Sequence, residues 1–252
     1  MSEPIAVVLH RQHSCPGRIG RLLRARGHKL AFFRPALGDE LPEDLAAYAG
    51  VIVFGGPMSA NDETPFIRKE IDWIGRVLKA QRPYIGVCLG AQLLAKQLGA
   101  RVAHHPEGRL EIGFHQIAPT ESARNILSAP LHVYQWHREG FSLPKGASLL
   151  AKGTLFENQL FSYGRSAYGL QFHPEITLEI MCRLLREEEE EHGGVRPGAQ
   201  GQIEQHVRKL VHGPALARWL KRFLSLWLNE APVAIETGEH QRFDNAALGE
   251  AS

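Results

Sequence analysis

Cysteine is scarce in this chain. Only Cys15, Cys88 and Cys182 occur, widely spaced and with no C-x-x-C pair. An odd count at such spacing is no disulfide framework and points to a reducing compartment. Long apolar runs are missing as well. None approaches the ~20 residues that span a bilayer, and MSEPIAVVLHRQHS lacks the charged-then-apolar order of a secretory signal. Charge of one sign is not in excess: the net value is +2 and no basic block appears, so nothing argues for nucleic acid. Neither G-x-x-x-x-G-K-[ST] nor S-G-G-x-D-S occurs, so no ATP site is indicated. The expectation is a cytoplasmic protein with no cofactor, no metal, no membrane partner and no nucleic-acid partner.

Apolar patterning supplies the positive information. With 44% hydrophobic and 22% charged residues among 252, the chain has material for a sizeable core. Ile5 to Leu9, LAFFRP, GVIVFGGP and PYIGV read as short buried strands. Between them lie GRIGRLLRARGHK and a segment from Thr64-Pro65 with Ile67, Ile71, Ile74 and Leu78 at helical spacing. A helix from about Leu89 to Leu98 follows. This alternation predicts an α/β fold with a mostly parallel central sheet flanked by helices. After Gly99 shorter segments such as GFHQIAP and SAYGLQFHPE predict a smaller antiparallel β portion. TLEIMCRLLREEEEEH is helical, with Thr177 as N-cap and Glu187 to Glu191 as a solvated face. A further amphipathic helix carries Leu216, Trp219, Leu220, Phe223 and Trp227. It either packs on the main domain or docks a partner, a homodimer being one possibility. The expected organisation is a domain over 1–190, a helical C-terminal extension over 191–232 and a flexible tail over 233–252.

The chemistry concentrates in RPYIGVCLGAQLLAKQLGA. Cys88 stands between Gly86 and Gly90, after a strand and before a helix, which is the G-x-C-x-G form of a nucleophile elbow. Glycines let strand and helix approach closely, and the helix N-terminus favours thiolate. The plain alternative is a buried structural cysteine. A thiolate nucleophile needs a base and the base an orienter. In QFHPE, His173 and Glu175 are two apart, so a strand would place both on one face; a surface HPE at a strand end is the alternative. The amide of Leu89 and one from FGGP, Gly56, suit a developing oxyanion. His10, His13 and Cys15 in HRQHSC are ligand types without a second motif to complete a metal site. They read as a polar loop.

Taken together, GVCLGAQLLA, FGGP and QFHPE, in this order and at these separations, resemble class I (triad-type) glutamine amidotransferases over roughly Ile5 to Leu185. GGPMSAND, EIGF and YQWHREGF are most similar to stand-alone amidotransferase-like proteins. The resemblance implies a flavodoxin-like architecture. It also implies Cys88 as nucleophile, His173 as base and acid, Glu175 as orienter, and the Gly56 and Leu89 amides as oxyanion hole. Gln92, Trp136 and Arg138 would contact the substrate, Arg138 standing where similar proteins often carry glycine. The implied activity is hydrolysis of the glutamine side-chain amide through a γ-glutamyl thioester, the ammonia passing to an acceptor or synthase subunit. A γ-glutamyl peptidase using the same triad is one alternative, and a non-catalytic binding module another. Glu111 of EIGF has no role at this level.

Overall fold

The computed structural model describes residues 3–123, 125–193 and 196–229. Strand and helix alternate first as the periodicity requires. The elements are β1 (Ile5–Val8), α1 (Gly17–Ala25), β2 (Leu30–Phe33), β3 (Gly50–Val53), α2 (Pro65–Lys79), β4 (Tyr84–Val87) and α3 (Leu89–Gln97). There follow β5 (Val102–His104), β6 (Glu111–Pro119), β7 (Leu131–His137), β8 (Glu139–Phe141), β9 (Ser148–Lys152), β10 (Asn158–Tyr163) and β11 (Ala167–Leu170), then α4 (Leu178–His192) and α5 (Gln202–Trp227).

Among the described residues the main sheet has nine strands in the order β2-β1-β3-β4-β11-β10-β9-β6-β7. From β2 to β11 neighbours pair in parallel; from β11 outward they are antiparallel. The antiparallel strands thus extend the same sheet, and β5 and β8 make a separate antiparallel pair. Every residue of β1, β3 and β4 is buried, as uninterrupted apolar strands covered on both faces must be. Alternate residues feed opposite layers. Ile5, Val7, Ile52 and Ile85 join one core with α5, while Ala6, Val8, Val51 and Val53 join another with α2 and α3.

Helix α5 carries the C-terminal stripe. Trp219 and Trp227 are buried within the chain. Trp219 stacks on Phe223 with centroids 5.0 Å apart and donates Nε1–H to the Ile126 carbonyl. Gly50 of β3 leaves room for Trp227; a Cβ there would stand 2.8 Å from its ring. The stripe is therefore spent on the core, and neither tryptophan is left for a dimer surface. The helix also begins at Gln202, well before Leu216, and runs through Pro214. An interior proline costs a helix roughly 3 kcal/mol. Tertiary anchors hold the earlier turns in place: Gln205 accepts from the Tyr134 hydroxyl at 2.8 Å, and Lys209 donates to the Ile176 carbonyl at 2.7 Å. The tail expected over 233–252 lies outside the described residues. No described helix is long and apolar enough to cross a membrane.

Candidate active site

Parallel pairing brings the carboxyl ends of β1, β3, β4 and β11 to one edge. Val8 is opposite Val53, Val53 opposite Gly86, and Val87 opposite Leu170. The residues that follow, His10, Gly55-Gly56, Cys88 and His173, therefore converge, at the edge where open α/β sheets bind ligands.

Cys88 joins β4 to α3 with φ 51° and ψ −107°, a left-handed conformation that costs a non-glycine residue about 1–3 kcal/mol. Its surroundings enforce it. The Cys88 amide donates to the Leu170 carbonyl at 2.7 Å, and the Tyr84 hydroxyl donates to the Gly90 carbonyl at 3.0 Å. The flanking glycines permit the crossing: a Cβ on Gly86 would stand 2.6 Å from the Ala91 nitrogen, and one on Gly90 2.8 Å from the Val53 carbonyl carbon. Sγ lies 3.8 Å from the Trp136 carbonyl oxygen.

His173 and Glu175 lie beyond β11 in a turn rather than in the strand the sequence suggests. The turn brings them together nonetheless, with Nδ1 2.8 Å from Glu175 Oε1. The His173 amide is tied to the Tyr134 carbonyl of β7 at 2.8 Å. Its Nε2 is buried without a nitrogen or oxygen partner among the described residues. Burial by itself would lower the imidazole pKa. The Glu175 carboxylate and Cys88 sulfur outweigh it and raise the pKa well above 6.5. The two influences favour the charged form of the ring beside the sulfur. Behind the carboxylate, Arg18 and Lys209 contribute favourable charge. Lys209 comes from α5, so the C-terminal helix takes part in the site's electrostatics.

Gly55 and Gly56 form the facing loop. A Cβ on Gly55 would stand 3.0 Å from His173 Cε1 and 3.9 Å from Cys88 Sγ. The Gly56 and Leu89 amides have no hydrogen-bond partner among the described residues. Gln92 is buried, and its side-chain amide donates to the Glu139 carbonyl at 2.8 Å, tying α3 to β8. Trp136 and exposed Arg138 line the same cleft. Arg138 has no ion-pair partner among the described residues.

The cleft has a volume of about 540 Å³ and extends well past the sulfur to α4. Glu187, Glu188 and Glu191 line it, so the acidic run is not simply a solvated face. Glu187 pairs with Arg11, and Glu188, only 15% exposed, pairs with Arg196. Helical periodicity marks such a face but not what stands across from it.

Two buried polar clusters escaped sequence reasoning. His10 turns inward from its loop to Glu70, with Nε2 3.1 Å from Oε2. Glu111 accepts from His137 Nε2 at 3.1 Å and from Gln159 Nε2 at 2.9 Å. Nothing in the local sequence ties either histidine to its carboxylate. No group of three or more His, Cys, Asp or Glu able to hold a metal ion occurs among the described residues.

A sulfur, an imidazole paired with a carboxylate and two free amides around one cleft suit acyl transfer, and relatives carry the corresponding names. Residues 10–188 match the model of the glutamine amidotransferase class-I family. The chain is 34% identical over 194 residues to a glutamine amidotransferase-like protein, YfeJ, of Salmonella typhimurium, covering 73% of this chain and 80% of that protein. It is 30% identical over 173 residues to gamma-glutamyl peptidase 4 of Arabidopsis thaliana, covering 65% and 68% respectively. The crystal structure of a glutamine amido transferase from Methylobacillus flagellatus superposes with a TM-score of 0.84 at 26% identity, covering 95% of this chain and all of that one. On sequence and fold together, the chain belongs to the class-I glutamine amidotransferase family.

Proposed function

We propose that the protein hydrolyses a γ-glutamyl amide, in the first instance the side-chain amide of glutamine, through a thioester on Cys88. The reading is carried by the His173 ring, held by Glu175 at Nδ1 and raised in pKa by Glu175 and the Cys88 sulfur. Cys88 attacks the amide carbon. The Gly56 and Leu89 amides donate to the oxyanion. His173 Nε2 gives its proton to the departing nitrogen, while Glu175 holds Nδ1 and keeps the ring oriented. Water then attacks the thioester with His173 as base, and glutamate leaves. Trp136 and Arg138 line the cleft where the α-amino and carboxylate ends would lie. Gln92 acts through the Glu139 carbonyl that it fixes. The ammonia would pass to an acceptor or synthase subunit.

A second reading is favoured by the cleft. At about 540 Å³, continuing to the α4 side chains, it has room for a leaving group larger than ammonia, as in a γ-glutamyl peptide. One assay serves both: the purified chain is incubated with glutamine and, separately, with γ-glutamyl dipeptides, and glutamate release is followed. Cys88→Ala is expected to abolish turnover and labelling by a glutamine-like electrophile. Undiminished labelling of that variant would remove Cys88 from the mechanism.

A further inference from the structure

The loop bearing Gly56 is held from behind by a buried charged pair. His10 follows β1 and Glu70 lies on α2; both side chains are wholly buried. His10 Nε2 is 3.2 Å and 3.1 Å from the two carboxylate oxygens, and Nδ1 is 3.3 Å from the Gly55 carbonyl oxygen. An ionised carboxylate and a carbonyl oxygen accept hydrogen bonds and cannot donate, so beside an ionised Glu70 both ring nitrogens carry protons. The direction of the pKa agrees: burial lowers it, but Glu70 and the Gly55 and Phe54 carbonyls raise it above 6.5.

The Gly55 carbonyl and the Gly56 N–H belong to one peptide unit. No described peptide is cis, and in a planar trans unit these two bonds point in opposite directions. A carbonyl drawn to His10 therefore turns the Gly56 N–H away from it. The two glycines face different neighbours. A Cβ on Gly56 would stand 2.8 Å from His10 Cβ and 3.1 Å from Leu89 Cδ2, whereas one on Gly55 would meet His173 and Cys88. Two adjacent glycines have little torsional preference of their own, so the orientation must come from outside the loop.

We propose that His10, clamped by Glu70, is a positioning residue that fixes the Gly55–Gly56 peptide with its N–H directed toward Cys88. The oxyanion donor is then set before substrate arrives, which is where such donors are most effective. The imidazolium also lies on the carbonyl side, polarising the peptide and strengthening its N–H as a donor. This inference rests on the amide-hydrolase reading of the site.

The test uses the full chain and two double variants. His10→Leu/Glu70→Met removes the donor and leaves no buried carboxylate unpaired. His10→Asn/Glu70→Met returns an amide donor near the Nδ1 position. The first is expected to lower kcat by roughly 10²–10³ with KM little changed, and the second to recover about tenfold or more of that loss. Alkylation of Cys88 by iodoacetamide forms no oxyanion, so its rate stays at the parent value in both. In a crystal structure of the first variant the Gly55 carbonyl should leave its parent direction. Unchanged kcat, alkylation that falls in step with turnover, or an unmoved carbonyl would each overturn the proposal. Ring nitrogen chemical shifts of the parent should show two N–H groups on His10 at pH 7; a neutral ring overturns it without any variant. If the parent hydrolyses no γ-glutamyl amide, the proposed function fails, and the carbonyl direction and ring protonation still decide the role of His10.

Discussion

Replacing Glu111 by alanine removes the centre of a buried network, and the structure sets the size of the effect. The side chain is 2% exposed. Its Oε2 accepts from His137 Nε2 at 3.1 Å and Gln159 Nε2 at 2.9 Å. Both donors would lose this acceptor, and each buried donor left unmet costs about 1–3 kcal/mol. Removing one partner of a buried, hydrogen-bonded pair of this kind costs about 3–5 kcal/mol. The two estimates describe the same event and agree, so Glu111→Ala should lose about 3–5 kcal/mol of unfolding free energy. Function should suffer too. His137 Nδ1, at 2.9 Å, and Gln92 Nε2, at 2.8 Å, both meet the Glu139 carbonyl. That junction sets the path from β7 into β8 beside Cys88. Misplacing a reacting group by about 1 Å costs up to roughly 10² in rate. The measurement is urea unfolding at pH 7, where the midpoint should fall with an unchanged slope. Acidity supplies the control. Burial alone would raise the Glu111 pKa, but hydrogen bonding and charge from His137 bring it below 4.5. Its stabilisation is therefore present above that value and fades as pH falls through the lower folded pKa. The gap between parent and variant should narrow on acidification below about 4.5. A loss under about 1 kcal/mol at pH 7, or a gap indifferent to acidification, would refute the reasoning.

Two further outcomes follow from the site's electrostatics. In Glu175→Gln, burial continues to lower the His173 pKa while the main raising influence is gone. The alkaline limb of the kcat/KM profile should then move to lower pH, and a limb that stays put would detach Glu175 from His173. Lys209 has its pKa lowered from 10.5 to about 8, chiefly by burial. The unfolded chain thus holds the extra proton between those values, and stability should rise with pH across that window. Lys209→Met should abolish the rise, as read from urea midpoints at pH 8 and above; a rise that persists would place its origin elsewhere.

Reading along the chain succeeds where chemistry is local. Gly86-Val87-Cys88-Leu89-Gly90 sits between an apolar strand and a helix, and two flanking glycines make sense only where backbones cross closely. The structure has that crossing, with Cys88 at φ 51°. The strands from Ile5, Gly50 and Tyr84 were equally plain, because burial on both faces demands unbroken apolar runs. In QFHPE the two side chains do meet, but not by the strand geometry the spacing suggests. His173 and Glu175 meet through a turn beyond β11, since two residues of spacing can be closed by a turn as well as by a strand.

Sequence alone therefore determined the elbow, the parallel framework and the pairing of His173 with Glu175, because each depends on neighbours a few residues away. Tertiary structure decided the rest. It matched His10 to Glu70 and His137 to Glu111, chose Gln202 as the start of α5, turned Trp219 and Trp227 into the core, and laid the acidic run of α4 along the cleft. Periodicity reports that a face is covered, and composition reports that a charge exists. Which distant group covers the face or neutralises the charge depends on strand order and helix packing, and these bring together residues that no local pattern connects.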